Sequence, residues 1–159
     1  KPGDVVADIG CGTGYFSSRL AKKVAPGGRV LGVDIQPEML QILTNQMAKA
    51  GLTNVVPILG SLENPRIPPR SCSVVLIVDT YHHVDDRLRY FADLKGALVP
   101  GGRVVIVDFN KGERPVGPPP DHALSKEEIV GEMKQAGYAL ASDLPRLPYQ
   151  YLLAFTPAP

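Results

Sequence analysis

Three glycines at alternating positions, Gly10, Gly12 and Gly14, stand in the segment Asp8-Ile9-Gly10-Cys11-Gly12-Thr13-Gly14, between an apolar run and one with helical periodicity. Glycine lets a backbone turn sharply and lets a ligand approach without a side chain in the way, and free amides at a helix start favour an anionic group. Twenty residues after Gly14, Asp34 closes the next apolar run, where a carboxylate can accept both hydroxyls of a ribose. Loop, helix start and acid together point to a nucleoside-containing ligand. Spacing then excludes two classes. A dinucleotide fingerprint needs Gly-x-Gly-x-x-Gly, but its last position falls on Tyr15 counting from Gly10 and on Ser17 counting from Gly12. A Walker-type phosphate loop is excluded because no Gly-Lys-Ser or Gly-Lys-Thr follows.

A second group of reactive types lies in Asp79-Thr80-Tyr81-His82-His83-Val84. Asp79 falls at a strand end, where ligands bind in open α/β sheets, and either histidine suits proton transfer near neutral pH. Tyr81 reads equally as a core aromatic or as a wall of a reaction site. Asp108, at the end of a later strand, is a further candidate base. His82, His83, Asp79, Asp85 and Asp86 do not form a zinc-type pattern such as His-x3-His, so no metal site is assigned. Cys11 and Cys72 read as small packing residues. Asp8 either caps its turn or belongs to the ligand site. Asn110, Arg114 and His122 read as polar surface around the same sheet edge.

These residues need a scaffold that brings strand ends together. Val5–Ile9, Arg29–Asp34, Val55–Leu59, Ser73–Asp79 and Gly102–Asp108 read as strands, alternating with helical segments Tyr15–Val24 and Pro37–Ala50. In the second helix Leu40, Leu43 and Met47 recur at helical spacing. A third, from Asp86 to Leu98, is expected to present Leu88, Phe91, Leu94 and Leu98 on one stripe. Gly60–Ser71 holds three prolines and reads as an irregular crossover. Lys111–Pro120 reads as a loop, and Ser125-Lys-Glu-Glu128 as a capping box opening a helix with Ile129, Met133 and Ala136 on one face. Tyr138–Leu144 and Tyr149–Thr156 then read as strands of an antiparallel hairpin, turning through Pro145–Pro148. The pattern is an α/β fold with a mostly parallel, doubly wound sheet.

Composition bounds the rest. At 159 residues, 44% hydrophobic and 21% charged, the chain is sized and composed for one globular domain. Sixteen glycines and sixteen prolines, about a fifth of the chain, exclude a coiled coil or plain helical bundle. A net charge of +1 gives no global attraction to nucleic acid or anionic membrane, and no apolar run reaches the roughly 18 residues of a membrane span. Two cysteines make no disulfide framework, and no signal peptide is seen, so a cytoplasmic setting is expected. Residues 1–159 are read as one domain whose lack of an initiator Met points to a missing N-terminal extension.

From Lys1 to Phe155, the pattern Asp-x-Gly-x-Gly-x-Gly, Asp34, the His-His pair after the fourth strand and Leu98-Val-Pro-Gly-Gly-Arg103 resemble class I S-adenosylmethionine-dependent methyltransferases, especially the ubiquinone and menaquinone biosynthesis branch. The resemblance implies a Rossmann-like seven-stranded sheet whose last strand inserts antiparallel. It also implies S-adenosylmethionine as cofactor, S-adenosylhomocysteine as product and in-line methyl transfer to a small-molecule acceptor, with no nucleic-acid or membrane partner. Asp8, Ile9, Gly10, Cys11, Gly12, Thr13 and Gly14 would wrap the cofactor's methionine and ribose portions, Asp34 the ribose hydroxyls, and Ile35 the adenine. Ser61, Leu62 and Glu63 stand where the family carries its adenine contacts, with Ser61 replacing the usual acid. Asp79 would join the cofactor site. Tyr81, His82, His83 and Asp108 would border the transferring methyl, and the sequence does not choose a base among His82, His83 and Asp108. The Asn/Asp-Pro-Pro-Tyr form of nucleobase-amine methyltransferases is absent. A non-catalytic cofactor-binding module, or less well a nicotinamide-dependent oxidoreductase, are the competing readings.

Overall fold

The computed structural model describes residues 1–112, 115–117, 119, 122–144 and 147–159. Strands β1 (Val5–Ile9), β2 (Arg29–Asp34), β3 (Val55–Leu59), β4 (Cys72–Val78) and β5 (Leu98–Phe109) are parallel, and β6 (Tyr138–Asp143) and β7 (Gln150–Pro157) complete the sheet. The order is β3-β2-β1-β4-β5-β7-β6, with β7 inserted antiparallel between β5 and β6. Two residues of the turn read between these last strands, Pro145 and Arg146, lie outside the described residues, as does Arg114. No helix among the described residues is long and apolar enough to cross a membrane.

Both faces of the sheet are covered, which is why the central strands are apolar at successive positions instead of alternating. Helices α1 (Tyr15–Val24) and α2 (Pro37–Lys49) cover one face. Ala21 and Val24 of α1 pack with Val6 and Val30, and α2 buries Leu40, Leu43 and Met47 with Cys11. The other face joins Ala7, Ile9, Leu31, Val33, Val75 and Ile77 to helices α3 (Arg87–Leu94) and α4 (Lys126–Gln135). The Ser125–Glu128 capping box is formed, and α4 buries Ile129 and Met133. The crossover 60–71 carries no helix, so Val56 and Leu59 of edge strand β3 are exposed. Pro57 interrupts the row of N–H donors on this strand, a common way to keep an edge from templating another chain.

Several boundaries differ from the sequence reading, most of them by one residue. The third helix is short, ending at Leu94 and continuing as a 3-10 turn over Lys95–Ala97. Its buried stripe is Tyr90, Phe91 and Leu94, while Leu88 is 43% exposed. The rotation has a local cause. Asp86 caps the helix by accepting from the Arg89 N–H, and Arg87 is held by Glu132 of α4, which turns Leu88 outward. Leu98 leaves the helix altogether, because it pairs with Cys72 as the first residue of β5, and an irregularity within the β4–β5 ladder shifts the register so that Val74 pairs with Arg103. Asp79 is one residue past β4, in the left-handed region at φ +49°.

Candidate active site

The glycine loop is fastened to β2 by its own backbone. The Gly10 and Cys11 N–H groups both donate to the Val33 carbonyl, at 2.9 and 3.0 Å, and the Gly14 N–H returns to Cys11. All three glycines have positive φ, yet their surroundings differ. A Cβ on Gly10 would lie 2.2 Å from Thr80 Oγ1, and one on Gly14 would lie 2.4 Å from Leu43 Cδ1; a Cβ on Gly12 would meet nothing within 4 Å. Gly10 and Gly14 therefore serve packing as well as the turn. Gly12 faces open space.

Asp34 links this loop to the next turn. Its Oδ2 accepts the Gly12 N–H at 2.9 Å and its Oδ1 accepts the Gln36 N–H at 3.0 Å. A carboxylate offers about four lone-pair sites, so two remain after these bonds. Asp8 stands behind the loop at 2% exposure, accepting the Ser17 hydroxyl of α1 at 2.6 Å. Burial is the main reason its carboxyl is pushed up to about 6, with the Asp34 charge adding to the rise and the Ser17 hydrogen bonds opposing it. Burial and the same two acids push the Cys11 thiol up to about 12, so it is an inert packing group.

A cavity of about 420 Å³ opens over these strand ends, within the usual range for small-molecule sites. It brings together Ile9, Gly10, Asp34, Ile35, Ser61, Leu62 and His83 of the sequence-selected residues. Ile35 and Leu62, 48% and 53% exposed, give it an apolar flank. Ser61 closes a tight turn, its hydroxyl and N–H engaging the Asn64 backbone. Glu63 is exposed and off the wall, Thr13 is exposed on the loop, and Cys11 is buried beneath it. Gln36, Thr80, Val84 and Tyr90 also line the cavity and were missed from sequence. Gln36 and Thr80 adjoin selected residues; nothing local marks Tyr90, which arrives from α3.

The turn after β4 fixes three candidates differently. Asp79 donates its N–H to the Val107 carbonyl and accepts Gln150 Nε2 from β7 at 2.7 Å. Its carboxyl is raised above the ordinary range by burial first, with the nearby Asp108 charge adding, while the Gln150 bond opposes. Tyr81, expected equally in the core or on the reaction wall, is in the core. It is fully buried, stacks on Phe91 at 4.9 Å and donates its hydroxyl to Glu132 at 2.8 Å, the carboxylate that also holds Arg87. Burial and that carboxylate raise its phenol far above the ordinary value, which removes it as a proton carrier.

The His82 side chain is nearly enclosed, at 5% exposure, with Nδ1 2.9 and 3.0 Å from the two oxygens of Asp108, itself 2% exposed. Facing a carboxylate, Nδ1 must carry the donated proton, as the tautomer logic of paired histidines requires. The His83 ring lies 4.1 Å from the His82 ring and reaches the cavity. Burial, then His82, holds its pKa below the usual histidine value against the opposing pull of Asp108. Asp79, His82 and Asp108 thus stand beside the cavity, with His83 between them and the open space.

The sheet order and this cavity at the parallel strands' carboxyl ends define a doubly wound nucleotide-type fold with its site at the topological switch point. Residues 6–102, more than half of the chain, match the methyltransferase domain family. The chain is 36% identical over 107 residues to the arsenite methyltransferase of Halobacterium salinarum, covering 67% of this chain and 27% of that protein. It is 30% identical over 117 residues to the ubiquinone/menaquinone biosynthesis C-methyltransferase UbiE of Hahella chejuensis, covering 73% and 47%. It spans about half the length or less of these curated relatives. The crystal structure of a SAM dependent methyltransferase from Aquifex aeolicus matches with a TM-score of 0.93 at 27% identity, covering 98% of this chain and 82% of that one. The chain belongs to the class I S-adenosylmethionine-dependent methyltransferase family.

Proposed function

We propose that this chain holds S-adenosylmethionine in the cavity between the glycine loop and Ser61 and transfers its methyl group to a small-molecule acceptor. One observation carries the assignment. Asp34 is pinned from two sides by backbone N–H groups and keeps two lone-pair sites beside the open face of Gly12, a ready-made acceptor for vicinal hydroxyls. The rest of the wall fits the same ligand. Ile35 and Leu62 offer apolar surface to a purine ring, and the Ser61 hydroxyl stands at the same rim. Asp8 supplies a carboxylate behind the loop for a ligand ammonium, and a cation placed there lowers its pKa again. The cofactor's sulfonium makes its methyl group electrophilic, so the protein's part is to align the acceptor and exclude water.

Calorimetric titration with S-adenosylhomocysteine tests this directly; absence of heat at millimolar ligand defeats it. In Asp34→Ala the two lost contacts to a charged acceptor, each about 1.5–3 kcal/mol, should weaken S-adenosylhomocysteine by at least about a hundredfold. His82→Ala, off the cavity wall, should weaken it less, and the reverse order refutes the ribose assignment.

A further inference from the structure

We infer that His83 takes a proton from the methyl acceptor, with the buried His82–Asp108 couple as the positioning unit behind it, and that the acceptor is a weakly acidic X–H compound, a phenolic or enolic hydroxyl or a thiol. This rests on the methyl-transfer reading of the cavity. Three observations carry it. Of the three groups the sequence leaves open as bases, His83 alone forms part of the cavity wall, and no described residue hydrogen-bonds its ring nitrogens. His82 is committed through Nδ1 to Asp108, and Asp108 is committed to His82 and to the Phe109 N–H. The groups facing His83 are His82 on its own turn, Asp108 from β5 and His122 from the segment before α4. Burial first, then the two histidines, favour the neutral imidazole that a base requires, against the opposing pull of Asp108.

A base in this position selects the acceptor. An aryl amine attacks with a lone pair it already has and can lose its proton to water afterwards, and an alkylammonium would bring a second positive charge against the sulfonium, so neither suits an imidazole base here. A phenol, enol or thiol is a poor nucleophile until its proton leaves. In balance, the X–H bond breaks with its proton on His83, the freed pair forms the X–CH3 bond, and the methyl–sulfur bond breaks with its pair on sulfur. The positive charge lost at sulfur reappears as the His83 imidazolium, close to the Asp108 carboxylate, which passes the proton to solvent after product leaves. A buried carboxylate is useful here because attraction to it is little screened.

The test uses sinefungin, the amino analogue of the cofactor whose ammonium stands in for the sulfonium, with 4-nitrophenol as the acceptor probe below that phenol's own pKa. Wild-type protein saturated with sinefungin should develop the yellow phenolate band as 4-nitrophenol is added. His83→Gln should bind sinefungin within about threefold of wild type by calorimetry, yet show at least tenfold less phenolate. Asp108→Asn should shift the His83 imidazole midpoint to lower pH in an NMR titration, since the charge that favours its cation is gone. No phenolate in the wild type, an equal band in His83→Gln, or loss of the band only in His82→Gln overturns the assignment. Failure of sinefungin to bind the wild type instead defeats the cofactor reading beneath it.

Discussion

Asp8→Asn offers the sharpest test of how the site is built, because it separates stability from function at one buried atom pair. The Asp8 carboxyl is 2% exposed and titrates at about 6 instead of 3.8. A shift of about two units corresponds to roughly 3 kcal/mol at about 1.4 kcal/mol per unit. Below about pH 4 the carboxyl is protonated in folded and unfolded chains alike, and the full stability is present. Between about pH 4 and 6 the unfolded chain ionises while the folded one resists, so stability falls as pH rises and levels off above the folded pKa. Asparagine keeps an oxygen for the Ser17 hydroxyl and carries no charge, although its new N–H donors take back about 1 kcal/mol. The net gain of about 2 kcal/mol amounts to about 4–8 °C in a chain of this size. Melting curves of both proteins across pH 4–8 should place the variant about 1 kcal/mol below wild type at the acid end and about 2 kcal/mol above it at pH 8, crossing in between. S-adenosylhomocysteine should bind Asp8→Asn more weakly at pH 8. A gap independent of pH, or an asparagine variant less stable at pH 8, refutes the argument. A stabilising change that impairs binding would show a buried charge kept for function.

The remaining predictions concern the loop and the turn after β4. Gly10→Ala drives a methyl group into Thr80 and should lower unfolding stability by more than 2 kcal/mol in urea titrations. Gly12→Ala, at φ +51° but with open space around its Cβ, should cost only about 1 kcal/mol of stability while reducing S-adenosylhomocysteine affinity at least tenfold, since the methyl enters the ligand's space. Equal affinity in Gly12→Ala and wild type refutes that role for the open face. Tyr81→Phe removes one hydrogen bond to Glu132 and should cost about 1–2 kcal/mol with S-adenosylhomocysteine affinity unchanged; a tenfold loss of affinity would return Tyr81 to the cavity wall.

Local chemistry made much of this protein readable in its sequence. Strand runs, helix stops and the Ser125 capping box depend on residues within a few positions of one another, and apart from the end of the third helix each is found in the structure. The glycine loop and Asp34 were legible because their strand ends are neighbours in any parallel β1–β2 pair, and Val33 and Gly12 close that geometry by backbone bonds. The α3 stripe was not legible, because Leu88 and Tyr90 suit either face by type and the choice falls to Arg87 and Glu132, which are remote in sequence.

By itself, then, the sequence determined the α/β order, the nucleoside-type loop and the acid beside it, since hydrophobic period, glycine spacing and capping act over short stretches. Tertiary structure alone decided which of three adjacent side chains reaches the cavity. On the single 3-10 turn Tyr81-His82-His83, Tyr81 goes to Glu132 of α4, His82 to Asp108 of β5 and His83 to the cavity. Those partners come from elements that meet only when the sheet closes. A side chain's pKa and access follow from its partners and burial, not from its position in the chain.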